Sequence, residues 1–326
     1  MTTKDAVLGA LKEHRGEYLS GEELSGALHL SRTSVWKAIK TLREEGHIIE
    51  AVTNRGYMLI PDNRLITESG VREGLSDANK NIPIHVYDVI DSTNLQARKL
   101  AQEGAPGSTV VIARQQTAGR GRLGRGFFSP REGIYLSIII KPDFDLSKSV
   151  LITSAAAVAV AEAIEEVAGL EANIKWVNDV YVDGRKVCGI LTEGITDLDT
   201  GRIEFLVIGI GLNTDVSNFP EELRQIAGAV EGDYSAAKLA GAIASKTIDY
   251  ASDIESRTFI EAYRKKNIVI GKDVTVYKGK YKVNPEDEIE GRAAKVTGID
   301  NDGRLEVVYS DGSTEALGSG EITIRF

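Results

Sequence analysis

Arg114-Gln-Gln-Thr-Ala-Gly-Arg-Gly-Arg-Leu-Gly-Arg125 decides how this chain is read. Gly119, Gly121 and Gly124 stand at the spacing G-x-G-x-x-G. In a dinucleotide-binding fold that spacing opens a helix whose N-terminus receives a pyrophosphate. Two features argue against that fold. Phe127-Phe-Ser-Pro130 follows and does not continue a helix, and arginines fill x positions where the fingerprint calls for none. Through Arg131 the stretch holds five arginines and no acid. It reads as a flexible loop wrapping an anionic ligand, with guanidinium forks on phosphate or carboxylate. A basic surface or RNA-binding loop is the alternative reading.

The surroundings favour ligand wrapping. From Asp62 to Asn267, strand-like runs such as Ile84–Val89, Thr109–Ala113, Gly133–Lys141 and Glu204–Gly211 alternate with helical ones such as Leu151–Ala168 and Ser235–Asp249. This predicts a mixed α/β domain. Ser92-Thr93-Asn94 follows the first strand with two hydroxyls and an amide. Lys175-Trp-Val-Asn178-Asp179 sets a cation and an acid around a tryptophan. Asp183-Gly184 is a type I′ hairpin signal, and it places Lys186 at the mouth of an apolar strand. Gly209-Ile-Gly-Leu-Asn213 offers small residues where a ligand can approach the backbone. Each motif alone has an ordinary structural explanation: a helix cap, a strand end, a surface lysine. Their joint occurrence is the signal.

Both flanks differ from this middle. In residues 1–61, Ser20 and Glu23 form a capping box. Ser31 caps a helix over Arg32–Glu45 whose Val35, Ile39 and Leu42 make one apolar stripe. His47–Val52 and Gly56–Ile60 predict a hairpin around Thr53-Asn54-Arg55. This order is that of a winged helix-turn-helix. Eight basic residues balance eight acidic ones here, yet Ser31 to Arg43 carries no acid. Ser31, Arg32, Thr33 and Ser34 would meet the major groove, with Lys37, Lys40 and Arg55 on phosphates. A helical interaction module with a solvated basic face is the competing reading. Residues 268–326 read as short strands joined by Asp302-Gly303 and Asp311-Gly312 turns, a small β-barrel of the SH3-like kind.

The 326 residues predict two or three domains. A net charge of −9 excludes a globally basic nucleic-acid coat protein. The single Cys188 permits no intramolecular disulfide and suits a reducing cytosol. The histidines are scattered, so no structural zinc site is expected. Met1–Ala10 does not read as a secretory signal, and the Leu151–Ile164 run is broken by Glu162, so no membrane is expected.

With these motifs assembled, the chain resembles the bifunctional biotin–protein ligase and biotin-operon repressor family over its full length. The resemblance implies a class II synthetase-like catalytic domain (62–267) between the winged helix (1–61) and the SH3-like domain (268–326). It implies that biotin and ATP, with Mg2+, give biotinyl-adenylate and pyrophosphate, and that a lysine of the biotin carboxyl carrier protein then takes the biotin. Lys186, Arg122 and Asp179 would be catalytic. Ser92, Thr93, Asn94, Gln116, Gly119 and Gly189 would hold biotin beside Arg120, Arg122 and Lys186. Arg125, Phe127, Asn178 and Asn213 would join Arg120, Arg122 and Lys186 on the nucleotide. An adenylate-bound homodimer would bind operator DNA in the cytoplasm. Two positions depart from the family: a well-studied member has tryptophan where Phe127 stands, and proline is common where Val177 stands. A lipoate ligase and a repressor that has lost catalysis are the rival readings. Operator binding should require biotin and should weaken steeply with salt. A gel shift on the chain's own biotin-gene promoter, repeated across a salt series, measures both.

Overall fold

A computed structural model describes residues 2–14, 16–53, 55–60, 63–142, 148–196, 203–278, 291–318 and 322–325. They form two compact units, Met1–Thr67 and Glu68–Phe326.

The first unit runs α1 (Thr3–Glu13), α2 (Gly21–Ala27), α3 (Arg32–Glu44), β1 (Ile48–Val52) and β2 (Gly56–Ile60). Ser20 and Glu23 make the reciprocal cap: Ser20 Oγ accepts the Glu23 N–H at 3.1 Å, and Glu23 Oε2 accepts the Ser20 N–H at 2.7 Å. Thr2 and Asp5 cap α1 the same way. Ser31 Oγ accepts the Ser34 N–H at 3.1 Å. Val35, Ile39 and Leu42 bury their stripe against Val7, Leu11 and Leu24. Arg43, one of the basic residues of α3, donates to the Ile49 carbonyl at 3.0 and 2.6 Å and so ties the helix to the hairpin. Asn54, at the expected hairpin tip, lies outside the described residues.

The second unit is built on a seven-stranded sheet. Its strands are β3 (Ile84–Ile90), β4 (Val110–Gln116), β5 (Gly133–Ile140), β6 (Asn173–Lys175), β7 (Asp179–Val182), β8 (Arg185–Thr196) and β9 (Ile203–Asn213). They are ordered β3-β4-β5-β9-β8-β7-β6. Only the β3–β4 pair in this sheet is parallel. Asp183 and Gly184 have φ of +49° and +73°, as a type I′ turn between β7 and β8 requires. Three helices, α4 (Glu68–Glu73), α5 (Thr93–Gln102) and α6 (Ser149–Ala168), follow in chain order, then α7 (Glu221–Arg224), α8 (Ala236–Ser252) and α9 (Ile260–Lys266). Short α4, α7 and α9 have too few turns to show a period and were not legible in advance.

Alternation along β5 and β9 sets the two faces of the sheet. Ile139, Val207 and Phe205 pack against Ala97 and Ala101 of α5. Thr192, on the opposite side of β8, meets Thr153 of α6 at 2.9 Å, so α6 covers the other face. Residues 155–161 of α6 are buried all round, because α8 packs on its outer side.

The same unit carries a five-stranded antiparallel sheet: β10 (Asp273–Lys278), β11 (Gly291–Ile299), β12 (Leu305–Tyr309), β13 (Thr314–Leu317) and β14 (Ile322–Arg325). Its order is β13-β12-β11-β10-β14. The four-residue β14 was not anticipated; so short an alternation gives little sequence signal. The turn between β11 and β12 docks on the larger sheet's helices and loops. Trp176 Nε1 donates to the Gly303 carbonyl at 3.0 Å, Arg257 pairs with Asp302 at 2.8 Å, and Arg264 Nε donates to Ile299 O at 2.8 Å. Gly303 has φ of +76°, and an added Cβ would lie 3.1 Å from Ser154 Oγ. Gly303→Ala is expected to lose about 1–2 kcal/mol of stability, read as a lower urea midpoint at unchanged slope.

Candidate active site

The α5 face of the sheet changes character along its length. Beyond Phe205 and Val207, β9 carries Gly209 and Gly211, paired with Leu191 and Gly189 of β8. Side chains are missing where the pattern calls for them, and a cavity of about 280 Å³ opens there. An added Cβ at Gly209 would fall 2.1 Å from Asn94 Oδ1. One at Gly211 would fall 2.5 Å from the Phe127 ring, and one at Gly189 3.3 Å from it.

Polar groups crowd one end of this floor. Ser92, Thr93 and Asn94 start α5, with Ser92 at the N-cap position but making no side-chain cap bond. Gln116 Oε1, at the end of β4, accepts the Thr93 N–H at 2.8 Å, and its Nε2 donates to Ser129 Oγ at 3.0 Å. Asn94 Nδ2 donates to Glu193 at 2.7 Å, and Ser137 Oγ lies 2.7 Å from Asn94 Oδ1. Thr93, Asn94 and Gln116 are each held by a hydrogen bond, so their side chains are fixed in place.

Cations gather at the other end. The arginine stretch closes on itself through Gly121 N to Arg125 O at 2.8 Å and Phe127 N to Gly119 O at 2.9 Å. A single 3-10 turn over Arg122–Gly124 replaces the helix a dinucleotide fingerprint needs. Arg122 Nη1 donates to Asn178 Oδ1 at 3.1 Å, and burial lowers its pKa. Lys186 Nζ lies 2.5 Å from Asp179 Oδ1. Lys175 also lines the cavity; burial lowers its pKa while Asp179 pulls it back up.

Ser92, Thr93, Asn94, Gln116, Arg120, Arg122 and Arg125 of the expected set line this one cavity, and so do Phe127, Asn178, Asp179, Lys186 and Gly189. Gly119 and Asn213 stand behind it. An added Cβ at Gly119 would strike Phe127 O at 2.4 Å, so this glycine lets the loop fold tightly. Asn213 Nδ2 donates to Gly228 O at 3.1 Å, and the Gly228 N–H donates to Lys186 O at 2.8 Å. Asn213 thus holds the segment that holds Lys186. Sequence reasoning did not single out Ser129, Ser137 and Glu193, which are recognised only by their bonds to Gln116 and Asn94.

In the first unit, Ser31, Arg32, Thr33, Lys37 and Lys40 are exposed, and Ser34 is half-buried. Arg32 pairs with Glu22 at 2.7 Å, and Lys40 lies 3.8 Å from Glu44. Arg55 places its guanidinium 4.1 Å from the centroid of the Tyr18 ring.

This fold and this pocket define a carboxylate-activating ligase joined to a helix-turn-helix. Residues 86–213 match the biotin/lipoate A/B protein ligase family, residues 3–58 an HTH domain, and residues 283–325 the biotin protein ligase C-terminal domain. The bifunctional ligase/repressor BirA of Bacillus subtilis is 41% identical over 227 residues, covering 69% of this chain and 70% of that protein. The bifunctional ligase/repressor BirA of Salmonella typhimurium is 29% identical over 319 residues, covering 95% of this chain and 94% of its own. The chain belongs to the bifunctional biotin ligase/repressor family. A solved biotin protein ligase from Aquifex aeolicus shares the fold, with a TM-score of 0.59 at 24% identity over 74% of this chain and 98% of that one. Among the described residues no helix is long and apolar enough to cross a membrane.

Because the glycine floor and Asn94 fit each other, Gly209→Ala is expected to cost about 1–3 kcal/mol by breaking the Asn94 bonds. Gly209→Ala combined with Asn94→Ala should cost less than the two single changes added together. Urea unfolding of the three variants measures this cycle.

Proposed function

We propose that this chain is an ATP-dependent biotin–protein ligase and a biotin-responsive, DNA-binding repressor. The observation that carries the ligase reading is one cavity with a polar, hydrogen-bonded end and a cationic end. The polar end suits a neutral, hydrogen-bonding head such as the ureido ring of biotin, which cannot be buried unpaired. The cationic end suits a carboxylate and phosphates. The Aquifex aeolicus ligase is described in complex with biotin and ATP.

The chemistry has two steps. A biotin carboxylate oxygen attacks the α-phosphorus of ATP, a P–O bond to pyrophosphate breaks, and biotinyl-adenylate forms. Both reactants are anions, so cations must offset their repulsion and the charge of the transition state. Lys186 and Arg122 take that role, and Arg120 and Arg125 close over the product and exclude water from the mixed anhydride. Phe127 stacks on the nucleotide, whose side also involves Asn178. The acceptor lysine amine then attacks the acyl carbon, AMP leaves, and Asp179 orients the amine or takes its proton.

The Lys186–Asp179 pair at 2.5 Å supports an order for these steps. While Lys186 faces Asp179, the carboxylate is engaged. When Lys186 turns to the adenylate phosphate, Asp179 is freed for the incoming ammonium. Magnesium bound with ATP would supply positive charge at the phosphates. Among the described residues no group of three His, Cys, Asp or Glu side chains gathers at one point.

We assign the winged helix to residues 1–61, the catalytic domain to 62–267 and an SH3-like domain to 268–326. The acceptor is a biotin carboxyl carrier protein, and a homodimer forms on adenylate binding and takes operator DNA. A reducing cytosol fits the single cysteine. Incubation of the chain with ATP, magnesium, labelled biotin and a carrier domain should label the carrier; an unlabelled carrier overturns the ligase reading. Adenylate without transfer would place the defect at Asp179. Lys186→Ala should reduce adenylate formation by about 10³-fold or more while circular dichroism stays native.

A further inference from the structure

The exposed face of α3 holds an aromatic residue that the DNA-binding reading has not used. Trp36 is 55% exposed. It stands in the second turn of the helix, among exposed Arg32, Thr33, Lys37 and Lys40, with Lys40 Nζ 6.0 Å from its ring centroid. A single exposed apolar side chain is ordinary, so its exposure alone says nothing. Its place does. Phosphate-complementary cations surround it on the face a recognition helix turns toward base edges.

The other candidate readers are partly engaged. Ser31 Oγ accepts the Ser34 N–H at 3.1 Å and lies 2.8 Å from Ser34 Oγ, so both hydroxyls serve the cap. The Arg32 guanidinium faces Glu22 at 2.7 Å. Lysines hold phosphates and carry little sequence information. Thr33 and Trp36 remain, and only Trp36 presents a large apolar surface.

We propose that Trp36 is a specificity-determining residue of the helix-turn-helix, reading a thymine by packing its indole on the C5-methyl group in the major groove. That methyl is the one apolar feature the groove displays, and the indole N–H can reach a neighbouring acceptor such as O4 or N7. The proposal rests on the DNA-binding reading of the first unit and adds to it which residue selects a base.

The test uses the full chain with biotin, ATP and magnesium. Sites are selected from a random duplex library and resynthesised with deoxyuridine for thymidine, one position at a time, which removes only the methyl group. At one position in each half-site the substitution should weaken wild-type binding about fourfold, the worth of one buried methyl-sized group. Trp36→Ala should erase that difference, and Trp36→Phe should keep part of it. The slope of affinity against salt should stay the same, because no phosphate contact is lost. A wild type indifferent to every deoxyuridine overturns the proposal, and so does a Trp36→Ala chain that still feels the missing methyl. If Trp36→Ala instead changes the mass by light scattering without touching base preference, the indole belongs to an interface between copies and the proposal falls. A wild type that selects no DNA sequence at all defeats the DNA-binding reading itself, a different result from selected sites with no methyl effect.

Discussion

A β-sheet presents a side chain on each face at every second residue, so a ligand can lie flat on it only where those side chains are missing. Gly189, Gly209 and Gly211 provide that clearing on β8 and β9. The rest of the site follows from it. Asn94 reaches across the gap at Gly209 to Ser137 and Glu193. The Phe127 ring lies over Gly211 and Gly189 and meets Tyr135 edge-on at 6.4 Å. Two pairs further along, the same face carries Val207 and Phe205 under α5. One sheet face is thus hydrophobic core at one end and binding floor at the other, and the change is made by side-chain size alone.

Charge is handled as economically. Joining a carboxylate to a phosphate needs cations in a confined space, and confined cations repel one another. Desolvation lowers the pKa of Arg122 and of Lys175, and Asp179 acts against the shift in both. A single carboxylate therefore steadies a cationic end that includes Lys186. The Lys186–Asp179 pair is partly solvated, so its value to stability is modest. In the proposed reaction its value lies in exchange: each partner would trade the other for a substrate group of the same charge.

What the sequence disclosed tracks how local each interaction is. The capping box at Ser20, the stripe on α3, the Asp183-Gly184 turn and the arginine loop depend on residues within a few positions, and each could be read directly. Glu193 reaches the site from 99 residues beyond Asn94, and Ser137 from 43. No spacing rule announces such a bond. Asn213 shows the intermediate case: its motif was visible, but it bonds the Gly228 carbonyl behind the pocket, so proximity in a motif did not mean contact with the cavity. Trp36 lies off the Val35, Ile39 and Leu42 stripe, and its exposure is seen once α3 has packed on α1 and α2.

The net charge of −9 is compatible with two anion-binding surfaces because charge acts locally once it is screened within about 8–10 Å. The recognition helix and the arginine loop each need only a small basic neighbourhood, and the surplus acids elsewhere keep non-specific polyanions at a distance. Two outputs can then share one signal. If the adenylate binds the ordered arginine loop better than the open one, it shifts the population toward the closed form by its difference in affinity for the two. Any property that favours the closed form rises with it, and whatever binds that form better must in return tighten the hold on the adenylate. The acceptor protein opposes this by consuming the ligand. In the proposed scheme a ligase thereby gauges its own substrate through the site that does the chemistry.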